Sequence, residues 1–454
     1  MRREAQGRRH MHRAAELLKA AEKHLKEARP DIIRITPVGD FRRGCELAGD
    51  LSLVAEVKKL ANGPQTITAG GQLTAHLTDM AHYGITLLLA TGSDSHLASL
   101  RALAPERNMS LDETGLRRGG KVVAAASEDG IYKALGMQPV PPQLREGRDE
   151  IARALFGKLP ELVTEADIAG ILHAHTDRSD GLDTLETMAE ATLSRGYQYF
   201  GVADHSKSAH YAGGLTPEEV AEQQVEADAL NRKYGRRFHI FKGIESDILA
   251  DGALDYSDEM LETFDFVVAS VHGRFKMDRA EQTERIIRAV SNPYTTILGH
   301  MTGRQLLRRP GYDIDIEKVL GACAEHGVVV EINANPWRLD LDWRWHETAL
   351  NLGCLMSINP DAHSTRELDL TRWGVEMARK GGVPKDKILN CLSKDEFASY
   401  LEKRRARRRS KPVPAQRRSL CPRASAAGIE KRPLRGRAEK RPSANSFGAR
   451  RLPL

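Results

Sequence analysis

The larger part of the chain is predicted to be α/β, and two observations carry that expectation. Between residues 169 and 398, seven short apolar runs alternate with amphipathic helical segments. That is the pattern of a parallel sheet or barrel whose strands are buried on both faces. A histidine, aspartate or glutamate also stands at or just past the end of nearly every run, where a barrel would gather them at one mouth. The segment before, 31–140, mixes strand-like and helical signals and reads as α+β. The segment after, 399–454, has too few apolar residues to fold and reads as disordered.

Bulk properties narrow the function classes. With 454 residues, 41% hydrophobic and 29% charged, the chain can bury two or three cores. No run approaches the 18 or so apolar residues of a membrane span. The first residues lack the apolar stretch of a secretory signal. Five scattered cysteines with no CxxC pair argue against a disulfide framework or a cysteine zinc site and fit a reducing cytoplasm. From Lys403 onward 18 Lys/Arg face 2 Asp/Glu, so a chain of net +6 divides into a tail of +16 and a body of −10. Such a tail is either a solvated extension or an arm making nonspecific contacts with nucleic-acid phosphates.

Taken in order, residues 1–30 form an amphipathic helix. In 31–140, "DLSLVAEV" and "GITLLLA" read as strands and "SHLASLRALAPERN" as a helix. The Pro-rich "MQPVPPQLREGRDEI" marks a boundary, with 141–168 as linker. The seven runs are "GILHA", "YQYFGVAD", "FHIFKGIE", "FDFVVASVH", "TTILGH", "VVVEIN" and "CLMSIN". Helices "TLETMAEATLSRG", "ERIIRAVS" and "IEKVLGACAEHG" lie between several of them.

The first run delivers His173 and His175, with Asp180 in the loop beyond. The second gives Asp204 and His205, the third Glu245, the fourth His272, the fifth His300, and the seventh leads to Asp361 and His363. Two-residue spacing on a strand sends both members of His173/His175 and of Asp361/His363 to one side. A single histidine at a strand end is ordinarily a hydrogen-bonded structural residue. Six of the chain's 16 histidines at the ends of five runs point instead to a cluster of two or three divalent ions. Imidazole with carboxylate suits Zn, Mn or Fe.

Together "HAHTDRSDG", "ADHS", "GIESDILADG", "SVHGRF", "ILGHMTGR", "EINANPWRLDL" and "PDAHST" resemble the PHP (polymerase and histidinol phosphatase) domain, above all that of bacterial and archaeal family X DNA polymerases. The resemblance spans roughly 169–398 and implies a distorted (β/α)7 barrel. It implies that His173, His175, Glu245 and Asp361 hold one ion. Glu245 bridges to a second, held with His272 and His300, and Asp180, His205 and His363 hold a third. Paired cations generate a nucleophile from water near neutral pH and stabilise charge on phosphorus, which is phosphoester hydrolysis with Glu245 and Asp361 at its centre. Lys207, Arg274, Arg304 and Arg338 are candidate phosphate contacts, with Arg304 and Arg338 favoured because they lie inside family-like motifs. Each could equally be a surface salt bridge.

Upstream, "GDFRRGCELAGDLSLV" resembles the palm motif of family X nucleotidyltransferases, which ends in Gly-Asp-x-Asp. Here Asp50 is present, Ser52 replaces the second Asp, Thr74 stands at the place of the third carboxylate with Asp79 close by, and Asp40 replaces the serine that meets the triphosphate. One carboxylate cannot hold two Mg ions, and Asp40 would repel a triphosphate. Arg42 and Arg43 persist, so a palm/thumb-like fold without nucleotide addition is expected. Family X chains usually begin with a helix-hairpin-helix domain. This one starts at about the palm, through loss of that part or through a start assigned downstream of it.

The expectation is a metal-dependent phosphoesterase that removes nucleotides from DNA 3′ ends in repair, monomeric and off the membrane. A small-molecule phosphomonoesterase similar to histidinol phosphatase is the alternative. A noncatalytic DNA-binding protein is the third reading, with nine filled ligand positions against it.

Overall fold

The computed structural model describes residues 7–60, 64–69 and 73–410. Met11, Ala14 and Leu18, three and four apart, give one buried face to a helix over Met11–Ala28. That face packs on Ala48, Leu51 and Leu53 of a four-stranded sheet. The strands lie in the order Ile32–Val38, Leu51–Val57, Leu73–Thr78, Gln65–Ala69. The middle pair is parallel and the outer pairings are antiparallel.

The run "GITLLLA" is not a strand. Tyr83–Thr91 is a helix with Tyr83, Ile85, Leu87 and Leu88 buried. A short apolar run has no period to distinguish helix from strand, and its Leu and Ala residues favour helix. Gly84 permits the packing, since a Cβ there would lie 2.3 Å from the backbone of Ser127. The helix expected at "SHLASLRALAPERN" forms over Asp94–Glu106, with Ser93 accepting from the His96 N–H at 3.1 Å. Residues 141–168, expected as linker, contain the helix Glu150–Leu155. Glu150 there accepts from His96 Nδ1 at 2.7 Å. A Pro-rich composition signals a change of direction, and here the turned segment is packed down rather than extended.

All seven apolar runs become strands of one parallel sheet in sequence order: β1 (Gly170–Leu172), β2 (Tyr199–Val202), β3 (His239–Asp247), β4 (Phe266–Ser270), β5 (Ile297–Leu298), β6 (Val329–Asn333) and β7 (Met356–Asn359). Helices return the chain between most of them, including Pro217–Tyr234 between β2 and β3. The sheet is a nearly closed barrel. Where β1 meets β7, Asn390 spans the seam. Its Nδ2 donates to Gly170 O and Ile358 O, and its Oδ1 accepts from Ile358 N.

The sequence reads as unstructured from 399, yet the last described helix runs over Lys394–Ser410. Phe397 and Leu401 are buried, Arg404 donates to Thr295 O at 2.6 Å, and Arg408 lies over the Tyr294 ring. Arginine counted only as charge hides the long apolar stems that let it pack. The rest of the expected tail, 411–454, lies outside the described residues, as does Cys421. Cys45, Cys323, Cys354 and Cys391 are free thiols. No described helix is long and apolar enough to cross a membrane.

Candidate metal centre

Two tripeptides form the floor of the barrel mouth. His173-Ala174-His175 follows β1 and Asp361-Ala362-His363 follows β7, side by side and parallel, with Ala174 bridged to Ala362. Asp361 N donates to His173 O at 3.1 Å and His175 N to Ala362 O at 2.8 Å. Each begins with a left-handed residue, His173 at φ 64° and Asp361 at φ 52°. Strand alternation, the reason the sequence offered for paired side chains, therefore does not apply: β1 and β7 have ended, and the left-handed turn aims the side chains instead. Backbone strain of this kind is characteristic of sites where geometry is enforced.

Glu245 lies on β3 at the centre. Its Oε1 is 3.2 Å from His173 Nε2, 3.3 Å from His272 Nε2 and 3.1 Å from His300 Nε2, and its Oε2 is 3.0 Å from His205 Nδ1. Asp361 Oδ1 stands 3.1 Å from His175 Nε2. Asp180 Oδ1 stands 3.5 Å from His205 Nε2 and 3.3 Å from His363 Nε2. Three groups converge closely enough to share an ion: His175, Asp180, His205 and His363; His173, His175 and Asp361; and His205, Glu245 and His272. The structure thus brings together all nine residues singled out in the sequence, with His300 joined through Glu245.

The donor chemistry fits divalent cations. His173 Nε2, His175 Nδ1, His205 Nδ1 and Glu245 Oε2 are buried close to one another and to neighbouring polar atoms without a well-aligned hydrogen bond, a costly arrangement for groups shut away from water. Burial alone would raise the Glu245 carboxyl, but the imidazoles of His272, His173 and His205 outweigh it and hold it well below the usual carboxylate range. Burial, reinforced by His363 and His205, pushes His175 down to about 3. Burial would lower His205 too, but Glu245 and Asp180 lift it to about 10. Buried carboxylates drawing positive charge, beside an imidazole that resists a proton, are what a cation-binding pit requires.

Sequence reasoning passed over the groups that orient these side chains. Glu331 on β6 accepts from His173 Nδ1 at 2.6 Å and from His300 N at 2.7 Å. Asp247, two residues after Glu245 on β3, accepts from His272 Nδ1 at 2.6 Å. Each fixes the proton on Nδ1 and leaves Nε2 bare toward the centre. The signal was available: a glutamate inside "VVVEIN" has no place in a buried strand unless it is paired. Asp204 is drawn off the centre. It accepts from Thr176 N, Thr176 Oγ1, Ser179 Oγ and Gln223 Nε2, tying down the loop that carries Asp180.

The basic candidates separate. Arg338 Nε stands 3.7 Å from Asp361 Oδ2. Arg304 is committed elsewhere, to Arg338 O at 3.0 Å, Leu339 O, and Asp342 Oδ2 at 2.6 Å. It braces the loop that presents Arg338, and sequence position could not separate the two roles. Arg274 is exposed, and Lys207 lies over the Tyr256 ring.

In the N-terminal sheet, Ser52 and Thr74 are register partners on the two parallel strands, so the two positions read as lost carboxylates are neighbours. Asp79 lies beyond that strand and accepts from His82 N at 3.0 Å and His82 Nδ1 at 2.8 Å. Asp40 accepts from Gly49 N at 2.9 Å and Arg43 Nη2 at 2.5 Å. Asp50 is exposed.

Residues 86–146 match the family described as DNA polymerase beta thumb. Over 415 residues the chain is 33% identical to the DNA polymerase/3'-5' exonuclease PolX of Bacillus subtilis (strain 168), covering 86% of this chain and 72% of that protein. It is 27% identical over 254 residues to a probable phosphatase of Caldanaerobacter subterraneus subsp. tengcongensis, covering 52% of this chain and 91% of the relative. A probable phosphatase of Vibrio campbellii is 26% identical over 246 residues, 51% of this chain and 92% of that protein.

Proposed function

The chain belongs to the PolX family of bacterial family X DNA polymerases, and from that premise we propose that it is a metal-dependent phosphoesterase whose barrel removes nucleotides from DNA 3′ ends. The carrying observation is the convergence of six imidazoles and three carboxylates at one barrel mouth. In this reading residues 169–398 are the PHP hydrolase domain. Residues 31–140 are a palm/thumb-like domain that no longer adds nucleotides, because Ser52 and Thr74 offer hydroxyls where Mg needs carboxylates and Asp40 already occupies backbone and guanidinium donors.

Zn, Mn or Fe bound by these donors would supply Lewis acidity toward a phosphoryl oxygen and a nucleophile from water at neutral pH. The chain's own groups do the rest. Glu331 and Asp247 hold His173 and His272 with Nε2 turned to the centre. Glu245 and Asp361 balance the charge of the pit, and Arg338 offers a guanidinium to phosphate oxygens beside Asp361.

The test is a labelled primer–template incubated with Mn, with and without deoxynucleoside triphosphates, beside a generic phosphomonoester. His175→Ala serves as control. Primer shortening lost in the variant supports the proposal, and primer extension overturns the account of Ser52, Thr74 and Asp40. Hydrolysis of the monoester with an untouched primer favours the second reading, a small-molecule phosphatase. Its support is the likeness of about half of the chain to the two phosphatases.

A further inference from the structure

Tyr211 is 70% exposed and stands at the rim of the metal centre. Its ring centroid is 6.2 Å from that of His205 and 6.3 Å from that of His272, the second pair edge-on at 70°. Single exposed aromatics are ordinary on protein surfaces. This one is set apart by where it sits and how it is held.

The loop carrying it, between β2 and Pro217–Tyr234, is braced at every turn. Ser206 is bridged to Leu215, and Leu215 N donates to His205 O at 2.8 Å. Ala209 N donates to Ser206 O at 2.9 Å and Gly214 N to Ala209 O at 3.1 Å. Ser208 donates to Asp255 through both its backbone N and its Oγ. Gly214 is required by this closure, because a Cβ there would fall 1.9 Å from Ser206 O. Ala209 and Ala212 are buried on either side while Tyr211 points out. The fold holds the backbone beneath this exposed ring at a fixed place, so little backbone freedom is lost when something packs against it.

A second exposed apolar side chain borders the same centre. Leu182 is 79% exposed, and its backbone N–H is bonded to His363 O at 2.8 Å, two residues after Asp180. The two loops touch, since a Cβ on Gly213 would lie 3.4 Å from Ser179 O. A pit whose donors would hold divalent cations, with apolar side chains at its lip and Arg338 within it, suits a ligand that joins a phosphoester to a flat apolar group.

We propose that Tyr211 stacks on the base of the terminal nucleotide whose phosphoester enters the cluster, and so separates nucleic-acid ends from base-free phosphoesters. This rests on the phosphoesterase reading above and adds to it a specificity residue and a ligand class. Any base presents a face to an aromatic ring, so the preference is for having a base rather than for which base.

The test compares wild type, Tyr211→Ala and Tyr211→Phe on two 3′-labelled strands. One ends in an ordinary nucleotide and the other in an abasic tetrahydrofuran residue. The readout is the ratio of kcat/KM on the two ends. In Tyr211→Ala the ratio falls about tenfold, within the range that base–aromatic stacking gives, while Tyr211→Phe keeps the wild-type ratio. An unchanged ratio in Tyr211→Ala overturns the inference, whether or not the overall rate falls. A fall equally large in Tyr211→Phe overturns it as well, since that would assign the effect to the hydroxyl. If wild-type protein cleaves neither strand but hydrolyses glycerol phosphate, the exonuclease reading fails and this inference fails with it.

Discussion

Glu331→Gln changes one atom and disturbs the whole centre. Glu331 is fully buried, and its two oxygens accept four donors. Oε1 takes His173 Nδ1 at 2.6 Å and Asn359 Nδ2 at 2.8 Å, and Oε2 takes His300 N at 2.7 Å and Asn333 Nδ2 at 3.1 Å. Glutamine keeps the shape but replaces one acceptor by a donor. Whichever way the amide turns, its NH2 meets two donors, so two hydrogen bonds are lost and two buried groups go unpaired. At about 1–3 kcal/mol for each such group, the variant is destabilised by about 2–6 kcal/mol. The charge behind His173 also disappears, and partners of this kind are worth about 10–100-fold in metal affinity. Urea unfolding of the chelator-treated proteins reads the first effect, and calorimetric titration with Mn or Zn the second. A variant within about 0.5 kcal/mol of wild type that binds metal within about twofold would refute the view that Glu331 orients the site.

Asn390→Ala removes three buried hydrogen bonds across the seam and should cost about 2–4 kcal/mol, read from the unfolding midpoint; no loss means the seam does not depend on this side chain. Chelation should lower the melting temperature, because bound ions stabilise only the folded form, and Zn or Mn should restore it where Ca does not; equal rescue by Ca contradicts the nitrogen-rich donor set. Burial alone would raise Glu150, but the bonds from His96 and backbone N–H groups hold it below its ordinary value. A depressed folded pKa contributes stability that is present above the unfolded value, about 4.3, and is lost as pH falls through the folded value. Glu150→Gln should therefore lose less stability than wild type between pH 5 and pH 3, and parallel curves would refute this. Ser52→Asp with Thr74→Asp places two carboxylates on register partners beside Asp50. A new Mg site should appear by calorimetry, and its absence would show that the sheet lacks the geometry assigned to it.

Legibility followed the range of the physics. The seven strands were readable because a strand buried on both faces announces itself as a continuous apolar run, and the donors at the ends of all the runs but the sixth were readable for the same reason. "GITLLLA" was misread because a short buried helix and a short buried strand have the same composition. The helix through Ser410 was missed because its arginines find Thr295 O and Tyr294 only after the barrel exists.

What the sequence determined alone was local: which runs become the strands of the barrel, which donors stand at their ends, and that hydroxyls stand at Ser52 and Thr74. Tertiary structure decided what depends on residues far apart in the chain. It set Glu331 behind His173 across 158 positions, turned Arg304 away from the centre while leaving Arg338 within it, and placed Tyr211 beside two histidines from different strands. Composition and spacing carry the enthalpy of local pairing. They do not carry the direction of a side chain, which is fixed when packing closes every alternative rotamer.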